Sequence, residues 1–126
     1  MLEISEAQNA LVIGSRFVEG GSSFGSVYPK LSRLVNFSIQ IIMKSKIHDQ
    51  LCGFFVCPRN KLNNVEPSVF QGFGEYFISI IRHFERTGAS IVELGTIHQV
   101  RNFGVRKSRR FIMLKTYFKY ALENRR

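Results

Sequence analysis

Apolar and polar positions divide the chain into short periodic segments separated by glycine, proline and asparagine. Ser5 with Gln8 forms an S-x-x-Q capping box, and Leu11, Val12, Ile13, Phe17 and Val18 follow in a loosely helical pattern, predicting a first helix to about Val18. Gly20 and Gly21 break it; Ser22 to Val27 then reads as a short strand closed by a turn around Tyr28-Pro29-Lys30. From Arg33 to Met43, Phe37, Ile39 and Ile41 alternate with Asn36, Ser38 and Gln40, which predicts the second strand of a hairpin, one face apolar and the other polar but uncharged. Ser45 is placed to cap a second helix carrying Ile47, Leu51, Phe54 and Phe55 at helical spacing. Pro58 to Pro67 reads as a loop, and Val69 to Phe73 as a strand candidate pairing with Phe54 to Val56. Tyr76, Phe77, Ile80, Ile81 and Phe84 mark a third helix that Gly88 ends, with Arg82, His83, Glu85 and Arg86 turned outward. Residues 89 to 104 fit strand and helix equally, and Ser108 to Glu123 carries Phe111, Leu114, Phe118 and Ala121 on the stripe of a last helix. The expected class is α+β.

Charge sharpens this picture more than bulk composition does. At 126 residues and 44% hydrophobic content the chain fits one folded domain over 1–126, and a disordered basic tail is excluded. Its net charge is +9, yet residues 1 to 100 hold nine basic and eight acidic side chains while 101 to 126 hold nine basic ones and only Glu123. Arg101, Arg106, Lys107, Arg109, Arg110, Lys115 and Lys119 in this C-terminal segment are therefore candidate phosphate contacts, because neutralising phosphates releases condensed counterions. A solvated helix face is the plainer alternative, and an acidic membrane surface is less favoured than nucleic acid. Asn36, Ser38 and Gln40 add hydrogen-bonding groups that could line a nucleic-acid groove or solvent. Two cysteines, Cys52 and Cys57, make neither a disulfide framework nor a zinc site, and a reducing compartment follows more simply. His48, His83 and His98 show no metal-ligand spacing. No apolar run is long enough for a membrane span, and the acidic opening residues do not look like an import presequence.

The segment Phe17-Val18-Glu19-Gly20-Gly21-Ser22-Ser23-Phe24 resembles the signature of LAGLIDADG homing endonucleases and intron maturases, commonly F-(V/A)-(D/E)-(G/A)-(D/E)-G-S-F. Phe37-Ser38-Ile39-Gln40-Ile41 is similar to the family's F-x-I-x-I strand, and Ile80-Ile81-Arg82-His83-Phe84-Glu85 to its I-I-x-H-F-E segment. The resemblance covers about residues 7 to 122 and implies an αββαββα saddle with an antiparallel sheet, in one copy. In that family paired carboxylates at packed helix ends hold divalent metal over the scissile phosphates. Here the metal-binding acid aligns with Gly21 and the small residue of the helix seam with Arg16. The resemblance thus implies a nucleic-acid-binding protein without cleavage: no catalytic residue, Glu19 entering only if the register shifts by two, no metal and no cofactor. The expected role is an RNA-binding or structural component of an organellar ribonucleoprotein, a mitochondrial ribosome or an intron RNA, mitochondrion ahead of chloroplast. RNA is expected to be preferred over DNA, with ribosomal proteins or a second LAGLIDADG domain as further partners and no membrane. The alternative is an active, dimeric homing endonuclease that cleaves double-stranded DNA with Mg²⁺.

Overall fold

The computed structural model describes residues 1–24, 29–72, 74–99 and 110–125. Among them Leu2–Gln8 forms α1, which Asn9 ends in the left-handed conformation at φ 48°. A strand follows where a longer helix was expected: Leu11–Ser15 is β1. The physical reason lies in its surroundings. β1 is the central strand of a three-stranded sheet, antiparallel to β3 (Phe55–Val56) on one side and parallel to β4 (Ile91–Gly95) on the other. All five of its residues are buried, so Leu11-Val12-Ile13 is the continuous apolar run of a strand covered on both faces. The sheet is mixed, a correction to the antiparallel one that the saddle implied.

Beyond β1 the chain leaves this sheet and, six residues on, enters a second, two-stranded one as β2 (Ser22–Phe24), parallel to β5 (Ile97–Gln99). Thr96 marks the join: its N–H donates to Ser15 O at 2.9 Å, and its carbonyl accepts from Ser22 N at 3.0 Å. Residues 16–21, most of the signature-like segment, are therefore a loop extruded from one strand edge. The loop folds back so closely that a Cβ on Gly21 would press on the Ser15 carbonyl and one on Gly95 would overlap the Glu19 carbonyl. Gly20, at φ 80°, makes the turn itself.

The largest departure from expectation is α2, Pro29–Met43, a helix where alternation predicted a strand. The segment satisfies both periods. Val35, Ile39 and Met43, spaced four apart, are buried in one face, whereas Phe37 and Ile41 are 56% and 59% exposed. Of the three residues expected to be buried together only Ile39 is. The expected helix after Ser45 is also absent. Ser45 Oγ accepts from Ile47 N and from Gln50 Nε2, turning the chain locally instead of capping a helix, and Gly53 sits at φ 66°. Residues 59–62 form the short α3, and Pro67–Phe70, expected near a strand, is a 3₁₀ turn. β3 consequently pairs with β1. The third and last helices lie where the periodicity put them, as α4 (Tyr76–Arg86) and α5 (Arg110–Glu123).

α4 joins the two halves of the core. Phe77, Ile80, Ile81 and Phe84 face Leu11 and Ile13 of the sheet together with Ile47 and Val65, while Ile78 turns to Val35, Ile39 and Met43 of α2 and Ala121 of α5. Leu114, Tyr117 and Phe118 of α5 pack on that second cluster. The molecule is α+β, and no helix among the described residues is long and apolar enough to cross a membrane.

A buried ion pair fixes the loop before β3. Asp49, with no exposed surface, accepts from Arg16 three times: from its backbone N at 3.0 Å, its Nε at 2.8 Å and its Nη2 at 2.8 Å. Burial works against the Arg16 charge, but hydrogen bonds and attraction from Asp49 outweigh it and hold the guanidinium above its ordinary pKa. Replacing Asp49 by Ala should destabilise the fold by about 3 kcal/mol, because Arg16 would stay part-buried without a counter-charge. Urea unfolding checks this, and Arg16→Met/Asp49→Leu should regain much of the loss; a single-variant cost under about 1 kcal/mol would refute the assignment.

Candidate nucleic-acid interface

α5 packs through Leu114, Tyr117, Phe118 and Ala121, which leaves Ile112, Lys115, Lys119 and Leu122 outside. The basic end of the chain is thus, over residues 110–125, a docked helix with lysines aimed outward. Lys119 lies 3.8 Å from Glu123, a surface pair one turn apart and 70% and 55% exposed, worth little in water. Arg125 is exposed beyond the helix. Arg110 opens α5; Arg101, Arg106, Lys107 and Arg109 lie outside the described residues.

The structure adds a second group of basic side chains that sequence reading treated as solvated. Arg82, His83 and Arg86 on the last turns of α4 border a depression of about 280 Å³ with Ser68, Ser79, Thr87 and Asn124. Asn124 Nδ2 donates to Ser79 Oγ at 3.2 Å, fastening the end of α5 to α4 beside these residues. Arg82 is also engaged inward, through the Met43 carbonyl at 3.4 Å and Glu85 at 3.5 Å. Their helical spacing was visible in the sequence, but nothing there indicated that Asn124 would sit beside them.

Asn36, Ser38 and Gln40 do not form a common polar face. Residues two apart in a helix point about 200° apart, so Ser38 faces away from Asn36 and Gln40, which share one side of α2. Asn36 is buried, donating to Ser32 O at 3.0 Å and accepting from Gln50 N at 2.8 Å; it is a structural residue and cannot reach a nucleic acid. Ser38 Oγ donates to Leu34 O at 2.9 Å, and Gln40 is half-buried.

Glu19 sits exposed in the extruded loop, next to Gly20 and Gly21. Phe17 in the same loop has guanidinium groups over its ring, Arg16 at 4.9 Å and Arg33 at 5.6 Å from the centroid. The other acids near this end of the sheet are engaged elsewhere: Asp49 with Arg16, and Glu93 with the backbone N–H groups of His48 and Asp49 and with His48 Nδ1 at 2.8 Å. Among the described residues no group of three or more His, Cys, Asp or Glu could hold a metal ion.

A further depression of about 350 Å³ is lined by Cys52, Phe54, Thr96, Ile97, His98 and Gln99. His98 Nε2 lies 2.9 Å from Thr96 Oγ1, with its ring edge-on to Phe54. Burial pushes the Cys52 thiol up to about 12, and Asp49 and Glu93 also raise it, while the Phe54 backbone and Arg16 oppose the shift. The thiolate that a nucleophile requires is therefore suppressed at neutral pH.

No protein-family model and no curated protein matches the chain.

Iodoacetamide at pH 8 should label Cys52 slowly in the folded protein and rapidly once it is unfolded, since a thiol with a pKa near 12 is roughly one part in ten thousand thiolate at that pH. Mass spectrometry of labelled peptides reads this, and labelling of Cys52 at the unfolded rate would contradict its burial.

Proposed function

We propose that the protein binds nucleic acid through its C-terminal basic segment, with RNA preferred, and acts as an RNA-binding or structural component of an organellar ribonucleoprotein. The observation that carries this reading is the placement of charge: nine basic residues and one acid lie within 101–126, where α5 holds Lys115 and Lys119 outward on a helix docked by its apolar face. Docking matters because it fixes the spacing of the cations. Lysines on a rigid helix lose less freedom on meeting phosphates than the same residues on a loose tail.

The likeness of residues 17–24 to the LAGLIDADG signature supports a kinship with nucleic-acid enzymes, and Gly21 in the place of the metal-binding acid supports loss of cleavage. Without cutting to select duplex DNA, a structured RNA offers the same polyanion together with unpaired bases. The mitochondrial setting and the choice between ribosome and intron RNA rest on the resemblance alone.

Filter binding across a salt series tests the electrostatic core of the proposal. Replacing Arg106, Lys107, Arg109 and Arg110 by Ala should reduce the log–log salt slope by ~3 to 4, and replacing Lys115 and Lys119 by about half of that. Unchanged slopes in both variants would reassign the segment to solubility or protein contacts. A structured RNA should bind at least as tightly as duplex DNA of the same length. With Mg²⁺ the purified protein should leave plasmid DNA uncut; cleavage that disappears in Glu19→Gln would reinstate the endonuclease.

A further inference from the structure

α2 has two apolar faces, and among the described residues only one is covered. Val35, Ile39 and Met43 are buried with α4 and α5, whereas Leu31, Leu34, Phe37 and Ile41 are 48%, 60%, 56% and 59% exposed. At about 100° per residue these four fall within an arc of about 120°, forming a ridge about 15 Å long. Isolated exposed apolar residues need no explanation; four in line on one helix do. The ridge also has an electrostatic border. Lys30, Arg33, Lys44 and Lys46 are all exposed, and no acidic residue occurs between Glu19 and Asp49. Arg33 is held at the margin by its contact with the Phe17 ring.

These features restrict what can cover the ridge. A second copy of the chain would bring the same basic border against this one, with like charges opposed. Nucleic acid would satisfy the lysines but leave Leu31, Leu34 and Ile41 in water, since only Phe37 can stack on a base. Because its inner face is anchored, α2 presents a convex rod and not a groove, which a fluid surface accommodates without matching its shape. An anionic bilayer supplies both components, acyl chains for the ridge and headgroup charges for its border. At 15 residues, about 22 Å, the helix is too short to span a hydrocarbon core of about 30 Å and would lie in the interface plane.

We infer that α2 is a peripheral docking element for anionic lipid surfaces, with Leu31, Leu34, Phe37 and Ile41 entering the acyl boundary and Lys30, Arg33, Lys44 and Lys46 meeting the headgroups. It is independent of the nucleic-acid reading, which uses the C-terminal segment.

The chain has no tryptophan, so Phe37→Trp installs a single reporter in an exposed position. With vesicles of phosphatidylcholine containing about one third phosphatidylglycerol, its emission should shift to the blue and be quenched by brominated acyl chains; phosphatidylcholine alone should give neither response. In flotation assays on the full chain, Leu34→Ser/Phe37→Ser/Ile41→Ser should weaken binding to the anionic vesicles at least roughly tenfold while leaving Tm and RNA affinity unchanged. Unshifted and unquenched emission would overturn the inference and leave the ridge to a protein partner. Undiminished flotation of a folded triple variant would also overturn it, assigning vesicle binding to charge on the C-terminal segment. So would dimer dissociation as that variant's sole effect, which would assign the ridge to a second copy.

Discussion

A carboxylate with no access to water must find its partners inside the protein, and Asp49 finds them on the residue that follows the central strand. Arg16 supplies a backbone N–H and two guanidinium N–H groups, so the loop before β3 cannot move away from the end of β1 without stranding a buried charge. The neighbouring residues extend the constraint. The N–H groups of His48 and Asp49 donate to Glu93 on β4, and Gln50 donates through its N–H to Asn36 on α2. Four elements from across the chain, β1, α2, β4 and the loop before β3, are therefore brought to one polar node. Such a node adds less net stability than apolar burial, but it penalises every alternative arrangement in which one member loses its partner.

The same node bears on chemistry. The acidic side chains around the extruded loop hold backbone and guanidinium groups in place, so the carboxylates available there are occupied by structure. Glu19 is exposed, in a loop whose glycines pack against Gly95 and the Ser15 carbonyl. The outer faces of α2 and α5 differ in kind. α5 presents Lys115 and Lys119 beside Ile112 and Leu122; α2 presents a longer row of aliphatic and aromatic groups bordered by lysine and arginine. A polyanion suits the first and an anionic surface with an apolar interior suits the second.

Local pattern was sufficient where one period dominated. In α4, Phe77, Ile80, Ile81 and Phe84 fit a helix and no strand, with Gly88 at φ 68° just past its end. The same holds for α5, whose inner stripe is Leu114, Phe118 and Ala121. Phe54 to Val56 fitted both the end of a helix after Ser45 and a strand beside Val69 to Phe73; Phe55–Val56 is a strand, but it pairs with β1 instead. The uneven charge, the absence of a cysteine framework and the α+β class were likewise readable without coordinates.

Tertiary structure decided the rest, for an identifiable reason in each case. Phe37, Ile39 and Ile41 alternate as a strand would, but Val35, Ile39 and Met43 also repeat every fourth residue, and only the presence of α4 and α5 to cover that second set selects the helix. Leu11-Val12-Ile13 is compatible with a buried helix or a buried strand until β3 and β4 arrive on its two edges. The expected interface changed with these outcomes: Asn36 moved inside, and Asn124 came to rest beside Arg82, His83 and Arg86 of α4. The sequence by itself determined the charge, the class and the helices with a single apolar stripe. Pairing between distant segments determined which of two satisfied periodicities was used, because periodicity describes which faces are apolar and not what is available to cover them.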